Sequence, residues 1–464
     1  MNPVNIKKIA DTLIQALGTR KVVFDRDILE KYSRDETSDL KGFPDILIRP
    51  ESALEVSTAL KICNEYRLPV TPRGAGTGVT GGSVPVEGGA VLSLERLNRI
   101  IEIDRQNMVA VVEPGAITAD IQKEALFVGL MYPPDPASLD SCSIGGNVAE
   151  NAGGPRAVKY GITGNYIIGL EFVLPDGSII NKGGKIVKNA AGYNIIGIIL
   201  GSEGTLAVIT KIYLRLIPAP EITKDLLIPF DVLENAVEAV STVISNRIFP
   251  AAIEFMEEDA IKLVAIHLDN NIPFPEAGAH LLIQIDGSSE QSVLDDLVKI
   301  SNIIGVDNNN IFVAESSSQR ERLWKARRSI RESIQAESPV FLAEDCVVPR
   351  SKIAQFLKDL KNYFKSKNLR SVMFGHAGDG NVHIDILKDD IKDDQWKGML
   401  PDIKKEIYKR AIFLGGTITG EHGIGYTRKD YLGMALNPAE IELSKRIKTA
   451  FDLNMILNPG KIFL

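Results

Sequence analysis

An α+β architecture in two or more domains follows from three features of the sequence. The chain has 464 residues, more than a single ordinary hydrophobic core serves. Short β-rich runs recur between helical patterns along the whole length. Pro218 and Pro220 then interrupt the chain where a Gly-rich first half gives way to regular alternation of strands and helices.

The N-terminus spaces Ile6, Ile9, Ala10, Leu13, Ile14 and Leu17 along one helical face. Asp11 and Gln15 interrupt it, so it does not read as a signal peptide. ILIRP is a short strand. Ser52 caps a helix to about Tyr66, with Glu55 completing a capping box. LPVTP, AVLSL, IIEID and VAVVEPG are strands, and Ile117 to Val128 is an amphipathic helix. Pro133 to Gly154 is so dense in Pro, Gly, Asn and Ser that irregular backbone is expected. IIGLEFVLPDGSII is a hairpin turning at Asp176-Gly177. Beyond Pro220, LLIPF, AAIEF, HLLIQIDG, IFVAES and VFLAEDCVVP are strands, with helices such as VLENAVEAVSTVIS and SVLDDLVKISNII between them. That alternation predicts an α+β, ferredoxin-like domain. KDDIKDD near Asp390 reads as a solvated loop, and the lysines of KDLKNYFKSK as the solvated face of a helix.

Composition excludes some classes. A formal charge of −7 gives no support for nucleic-acid binding. Cys63, Cys142 and Cys346 lie too far apart for a CxxC metal or iron–sulfur site. They read as reduced thiols of a cytoplasmic protein. The longest apolar runs, such as IIGIIL before Gly201, are too short to span a bilayer.

The stretch TPRGAGTGVTGGSVP, Thr71 to Pro85, carries Gly74, Gly76, Gly78, Gly81 and Gly82. Glycine costs backbone entropy on folding, and the usual return is close approach of backbone to a ligand. Successive N–H groups there suit a pyrophosphate. The Walker pattern fails, because no Lys-Ser or Lys-Thr follows. GxGxxG matches Gly76, Gly78 and Gly81, with Glu102 at a ribose-contact spacing. That motif needs a helix at its last glycine, and Gly82, Ser83, Val84, Pro85, Gly88 and Gly89 forbid one.

Two further motifs carry chemistry. In FGHAGDGNVHIDI, strands flank a Gly-Asp-Gly turn, so His376 and His383 can face each other. In TGEHGIG, Gly420 and Gly423 bracket Glu421 and His422. Neighbours in extended backbone point opposite ways, so one can bind a metal while the other faces a substrate. Two imidazoles and a carboxylate with an open position suit a catalytic Zn²⁺, or a non-haem Fe²⁺ or Mn²⁺. Either motif alone fits a hydrogen-bonded turn; together, beside the Gly-rich loop, they favour a metal. His267 and His280 read as structural. Arg322, Arg327, Arg328 and Arg331 read as a solvated face of one helix.

These motifs, with GSEGTLAVIT and the C-terminal FDLNMILNPGKIFL, resemble most of the length of the vanillyl-alcohol oxidase / p-cresol methylhydroxylase flavoproteins. The likeness is to the branch holding the glycolate oxidase flavin subunit, D-lactate dehydrogenase and D-2-hydroxyglutarate dehydrogenase. It implies a PCMH-type FAD-binding domain of two subdomains with an N-terminal helix (1–220). A cap (221–415) and a C-terminal segment returning to the flavin (416–464) would follow. It also implies FAD contacts at Pro72, Arg73, Gly74, Ala75, Gly76, Thr77, Gly78, Gly81 and Gly82. Further contacts are implied at Pro134, Asp135, Ser138, Gly145, Gly146, Asn147, Asn151, Glu203, Gly204, Ile209 and Asn458, and more weakly at Lys461. His376, His383 and Glu421 become metal ligands, His422 the base, Asn381 a polar neighbour and Arg327 the holder of the substrate carboxylate. The FAD is expected to be non-covalent, since no His precedes His267.

The implied reaction is oxidation of a D-2-hydroxy acid to the 2-oxo acid. D-2-hydroxyglutarate enzymes of the branch place a Lys and a Thr near the substrate; here Ala343 and Arg331 stand there. Losing the Lys favours lactate or glycolate, while Arg331, which can serve a second carboxylate, keeps D-2-hydroxyglutarate as the alternative. The implied acceptor is an iron–sulfur subunit, an electron-transferring flavoprotein or a quinone. Contact with the inner membrane face would come through such a partner, and a homo-oligomer is compatible with the resemblance. Two rival readings are a metal-dependent hydrolase that binds a phosphorylated substrate at the Gly-rich loop, and a non-catalytic flavin subunit that only relays electrons.

Overall fold

The computed structural model describes residues 3–269, 271–305 and 310–463. The chain divides into two compact units. Unit 1 holds residues 1–152, 162–219 and 422–464; unit 2 holds 153–161 and 220–421. The chain changes unit at 152/153, 161/162, 219/220 and 421/422; the third change lies beside the expected boundary at 220/221, and the fourth lies six residues beyond the expected 415/416.

Unit 1 contains two main sheets. In the first, β1 (Val22–Val23), β2 (Ile46–Ile48), β3 (Val70–Arg73) and β4 (Ala90–Ser93) lie in the order β1-β2-β4-β3. β4 runs parallel to both β2 and β3. The second is antiparallel. It joins β5 (Ile100–Asp104), β6 (Val109–Val112), β8 (Ile167–Val173), β9 (Ile179–Gly183) and β10 (Val208–Arg215) in the order β5-β6-β10-β8-β9. The short β7 (Leu130–Met131) and β11 (Ile217–Pro218) pair with each other. The hairpin β8–β9 turns where Gly177 takes a φ of 83°.

The helices Pro3–Leu17 and Ala53–Glu65 supply Ile9, Leu13, Val56 and Leu60 to a core shared by Ile46, Val70, Leu92, Val173 and Val208. The Ser52 hydroxyl accepts from Glu55 N at 3.3 Å. The Glu55 carboxylate reaches back to Glu51 N at 2.8 Å, one residue beyond the expected capping-box donor. The C-terminus returns to this sheet: Leu457 bridges Val70, and Asn458 N donates to Val70 O at 2.7 Å.

One expectation fails here. Pro133–Gly154 is not irregular throughout, because Ile144–Glu150 forms a helix. Ser143 stands at its start, and Asn151 closes it in the left-handed conformation at φ 59°. The glycines that argued against helix fall in its first turn, where Gly145 lies so close to Pro114 that a side chain would collide. Close packing, rather than a need for irregular backbone, explains that glycine.

Among the described residues, unit 2 is built on an antiparallel sheet of seven strands. They are β12 (Ile222–Phe230), β13 (Ala252–Glu257), β14 (Ala279–Gly287), β15 (Phe312–Ala314), β16 (Phe341–Val347), β17 (Ser371–His376) and β18 (Asn381–Leu387). Their order is β15-β12-β14-β13-β17-β18-β16. The helices Glu258–His267, Ser317–Arg328 and Ile330–Glu337 pack on one face, over Met256, Leu282, Phe374 and Leu387. The arginines expected on one helix thus lie on two, separated at Ser329.

Asp393 and Asp394, expected in a loop, form the first turn of the helix Asp393–Phe413, where acidic side chains complement the helix dipole. The lysines of the helix Ile353–Ser366 are exposed, as expected. Lys361 also reaches the buried carboxylate of Glu257 at 2.7 Å.

Candidate active site

The Gly-rich loop follows β3 with no helix behind it, so the dinucleotide-fingerprint match is coincidental. Gly76 and Gly81 have φ of 79° and 76°. A Cβ on Gly81 would strike Leu40, and one on Gly74 would strike Ser143 Oγ. At Gly78 and Gly82, however, an added Cβ would meet no protein atom closer than 4.0 Å. A ligand can therefore approach the backbone there, as a pyrophosphate requires.

Several expected flavin residues converge on this loop within unit 1. Ala75 N donates to Ser143 Oγ at 3.3 Å, beside Gly145 and Gly146. The Cβ position of Gly204 lies 3.5 Å from Pro72. Asn458 Nδ2 donates at 2.8 Å to both Gly82 O and Glu203 O, while buried Lys461 donates to Val84 O at 2.6 Å. Burial lowers the Lys461 ammonium to about 8.

Other expected residues make bonds elsewhere. Arg73 is buried, with its guanidinium 3.1 Å from Ser83 Oγ. Asn147 donates to Thr118 Oγ1 at 2.7 Å, and Asn151 accepts from Gly164 N at 2.9 Å. Pro134 O accepts from Gln122, and Ser138 O from Ser141 N and Cys142 N. Asp135 lies on that same stretch, Thr77 is half-buried in the loop, and Ile209 is buried on β10.

Glu203, expected at the flavin, uses its carboxylate otherwise. Its two oxygens accept from Ile424 N at 2.9 Å and Gly425 N at 2.7 Å, just past His422. Burial raises this carboxyl above the ordinary range, against those two bonds. Thr80, in the Gly-rich loop, donates to His422 O at 3.2 Å. A Cβ on Gly423 would strike Glu150. The backbone that carries the His422 imidazole is therefore pinned by the Gly-rich loop and by Glu203.

In unit 2 the sheet register builds a polar patch. His376 lies opposite Glu254 and Asn381, and His383 opposite Phe374 and Asp345. Directly paired residues share a face, and so do residues two apart, so both histidines project from one face. Their rings meet edge to face with centroids 5.2 Å apart. Glu421 Oε1 lies 3.6 Å from each Nε2. Ligand atoms of His376, His383 and Glu421 all fall within 4.8 Å of one another. Tetrahedral ligands at ordinary zinc distances stand about 3.4 Å apart, so the donor set fits a divalent cation. Burial would lower His376, but the Glu254 and Glu421 carboxylates outweigh it and hold the imidazole well above its usual range. His422 is not among the atoms that meet.

Arg327 is buried near the end of its helix rather than solvated. Its Nη2 lies 2.7 Å from Glu254 Oε2, and its guanidinium covers the Phe374 ring at 4.8 Å. Its buried Nε has no hydrogen-bond partner among the described residues. A buried donor so placed suits an incoming anion. His267 is exposed and His280 is buried against Phe274 O at 2.9 Å, consistent with structural roles. Burial lowers His280 to about 4.

Two carboxylates here were missed. Glu254 Oε1 lies 2.7 Å from His376 Nδ1. Asp345 Oδ2 accepts from Gly420 N at 2.6 Å and Glu421 N at 2.9 Å, orienting the loop that carries Glu421. Both are fully buried. The available signal was an acid inside an apolar strand, in AAIEF and in VFLAEDCVV, since a buried acid normally has a partner to serve.

Residues 219–462 match the family described as "FAD linked oxidases, C-terminal domain", and 44–183 match "FAD binding domain". The chain belongs to the FAD-linked oxidase family. Among relatives of this FAD-linked oxidase, the glycolate oxidase subunit GlcD of Bacillus subtilis is 40% identical, over 98% of this chain and 97% of the relative. D-lactate dehydrogenase of Anaerostipes hadrus is 36% identical, over 100% and 99%. D-2-hydroxyglutarate dehydrogenase of Stutzerimonas stutzeri is 32% identical, over 98% of each. In structure it resembles p-cresol methylhydroxylase, with a TM-score of 0.81 at 18% identity over 100% of this chain and 97% of that one.

The FAD-linked oxidase is thus a flavoprotein oxidoreductase with a PCMH-type FAD-binding fold, and the phosphorylated-substrate hydrolase reading is set aside. Among the described residues no helix is long and apolar enough to cross a membrane. The three cysteines are buried, and none is in a disulfide.

Proposed function

We propose that this FAD-linked oxidase converts a D-2-hydroxy acid, lactate or glycolate, to the 2-oxo acid and passes electrons to a partner acceptor. The observation that carries this reading is the buried patch of unit 2. Three ligand atoms converge there, and Glu254 links one of them to an arginine that retains an unpartnered buried donor. The names of the three relatives support the same substrate class.

Arg327 presents a planar fork, so two parallel N–H bonds can hold the substrate carboxylate. His376, His383 and Glu421 would hold a divalent cation (Zn²⁺, Fe²⁺ or Mn²⁺). When bound, the cation would supply Lewis acidity that makes the substrate hydroxyl easier to deprotonate. His422 would accept that proton, with Asn381 as a polar neighbour. Bound, non-covalent FAD would supply the two-electron acceptor for the Cα hydride. One proton and one hydride leave, which balances alcohol to ketone. This complete set argues against a subunit that only relays electrons.

Arg331 lies 3.8 Å from buried Asp385, and Ala343 stands opposite Asp385 across the sheet. With Asp385 beside it, Arg331 has less positive charge to offer a second substrate carboxylate, which supports a small monocarboxylic acid. Among the described residues no cysteine pair suits a cluster, so the next carrier (an iron–sulfur subunit, an electron-transferring flavoprotein or a quinone) would be a separate, cytoplasmic or membrane-face partner. Anaerobic turnover of a 2-hydroxy acid panel with a dye acceptor tests the reading. D-lactate or glycolate should bleach the flavin fastest. Preference for D-2-hydroxyglutarate would shift the substrate to a dicarboxylic acid, and no reduction by any member would end the proposal.

A further inference from the structure

Glu254 is fully buried on β13 between two groups of opposite purpose. One oxygen meets His376 Nδ1 at 2.7 Å, and the other meets Arg327 Nη2 at 2.7 Å. The antiparallel register places Glu254 directly opposite His376, so this contact is set by the sheet and not by a flexible loop. Arg327 arrives from a helix on the same face and is fixed on its other side by the Phe374 ring. A carboxylate out of water is costly unless its charge is used, and here one oxygen is hydrogen-bonded and the other is ion-paired.

We propose that Glu254 is a positioning residue that couples the metal ligand His376 to the carboxylate-holding Arg327. The proposal rests on the functional reading above. By accepting the Nδ1 proton, Glu254 selects the His376 tautomer whose Nε2 is free to ligate, and it makes that nitrogen a better donor. By pairing with Arg327 it holds the guanidinium plane in one orientation, which a bidentate grip on substrate requires. One side chain thus sets the distance between the two points at which the substrate would be held.

The test uses the purified FAD-loaded protein and two readouts. Zn²⁺ affinity is measured against a chromophoric chelator, and flavin reduction by D-lactate is followed in stopped flow at saturating Zn²⁺. Glu254→Gln should weaken Zn²⁺ binding about 10- to 100-fold, the usual effect of removing such a support. It should also slow reduction at least about tenfold through lost orientation. In an Arg327→Met background the same change should slow reduction less than about threefold, because the arginine it orients is gone.

Zn²⁺ affinity within twofold of the parent would overturn the His376 half. Equal slowing in both backgrounds would overturn the Arg327 half. Should Glu254→Gln lose FAD or fail to fold, Glu254→Asp carries the same readouts. It keeps the charge but is too short to reach both partners, and parent-like values in both assays would overturn the coupling. If the parent protein reduces no 2-hydroxy acid, the functional reading fails, while the Zn²⁺ arm still decides the role toward His376.

Discussion

The Gly-rich loop of unit 1 and the sheet face of unit 2 are suited to binding charge in opposite ways. The loop removes side chains so that backbone can be approached, and its positive φ at Gly76 and Gly81 is possible because no Cβ is present. The sheet face concentrates side chains, with His376 and His383 on adjacent strands and Glu254 and Asp345 buried behind them. A backbone site tolerates change only where space permits. A side-chain site depends on supports that touch neither substrate nor cofactor. The two proposed sites should therefore fail independently, one by losing FAD and the other by losing metal.

The largest effect should come from removing a ligand on the sheet. His383→Ala is expected to lose the metal and to drop turnover by roughly a thousandfold or more, while FAD stoichiometry stays at the parent level. Elemental analysis beside the flavin absorbance checks this. Metal retained at parent stoichiometry would remove His383 from the ligand set.

His422 comes next. His422→Asn should keep FAD and metal but slow flavin reduction by about two to four orders of magnitude, the share of general-base catalysis. Anaerobic mixing with substrate reads the rate directly. Reduction at the parent rate excludes His422 as the base, and loss of metal would mean that it ligates.

A paired substitution sharpens the backbone side. Gly81→Ala places a Cβ at φ 76° against Leu40 and should cost about 1–3 kcal/mol of stability. Gly78→Ala meets no protein atom closer than 4.0 Å, so its unfolding temperature should hardly move while FAD affinity falls. If Gly78→Ala binds FAD as tightly as the parent, the pyrophosphate does not pass there.

The smallest effect concerns a carboxylate on the opposite face of the sheet. Burial raises Glu257 to about 7 despite its ion pair with Lys361. The folded state therefore favours the protonated form. The associated stability is full below the ordinary value near 4.5 and is lost as pH rises through about 7. Glu257→Gln should flatten unfolding free energy across that window, by on the order of 1 kcal/mol. An unchanged pH profile would show that Lys361 keeps Glu257 ionised throughout.

Much of this was legible residue by residue. Glycine density announced the loop, because glycine in such number has few other uses. Alternating strands and helices announced the second unit, and the spacing of FGHAGDGNVH placed two imidazoles across one turn. The helix Ile144–Glu150 was not legible, because local propensity counts glycine against helix and cannot see Pro114 pressing on the first turn. Nor was the burial of Arg327, since a run of arginines looks solvated until Glu254 is brought to it from 73 positions earlier.

By itself, then, the sequence determined which residue types could do chemistry and which elements carry them, because short-range periodicity and backbone sterics act within a few residues. Only the tertiary structure decided which buried acids stand behind those residues. Glu254 meets His376, Asp345 meets Glu421 N, and Glu203 meets Gly425 N. Each pairing joins positions more than 70 residues apart, and it exists because strand register or chain return brings a low-dielectric carboxylate to a group that it can satisfy.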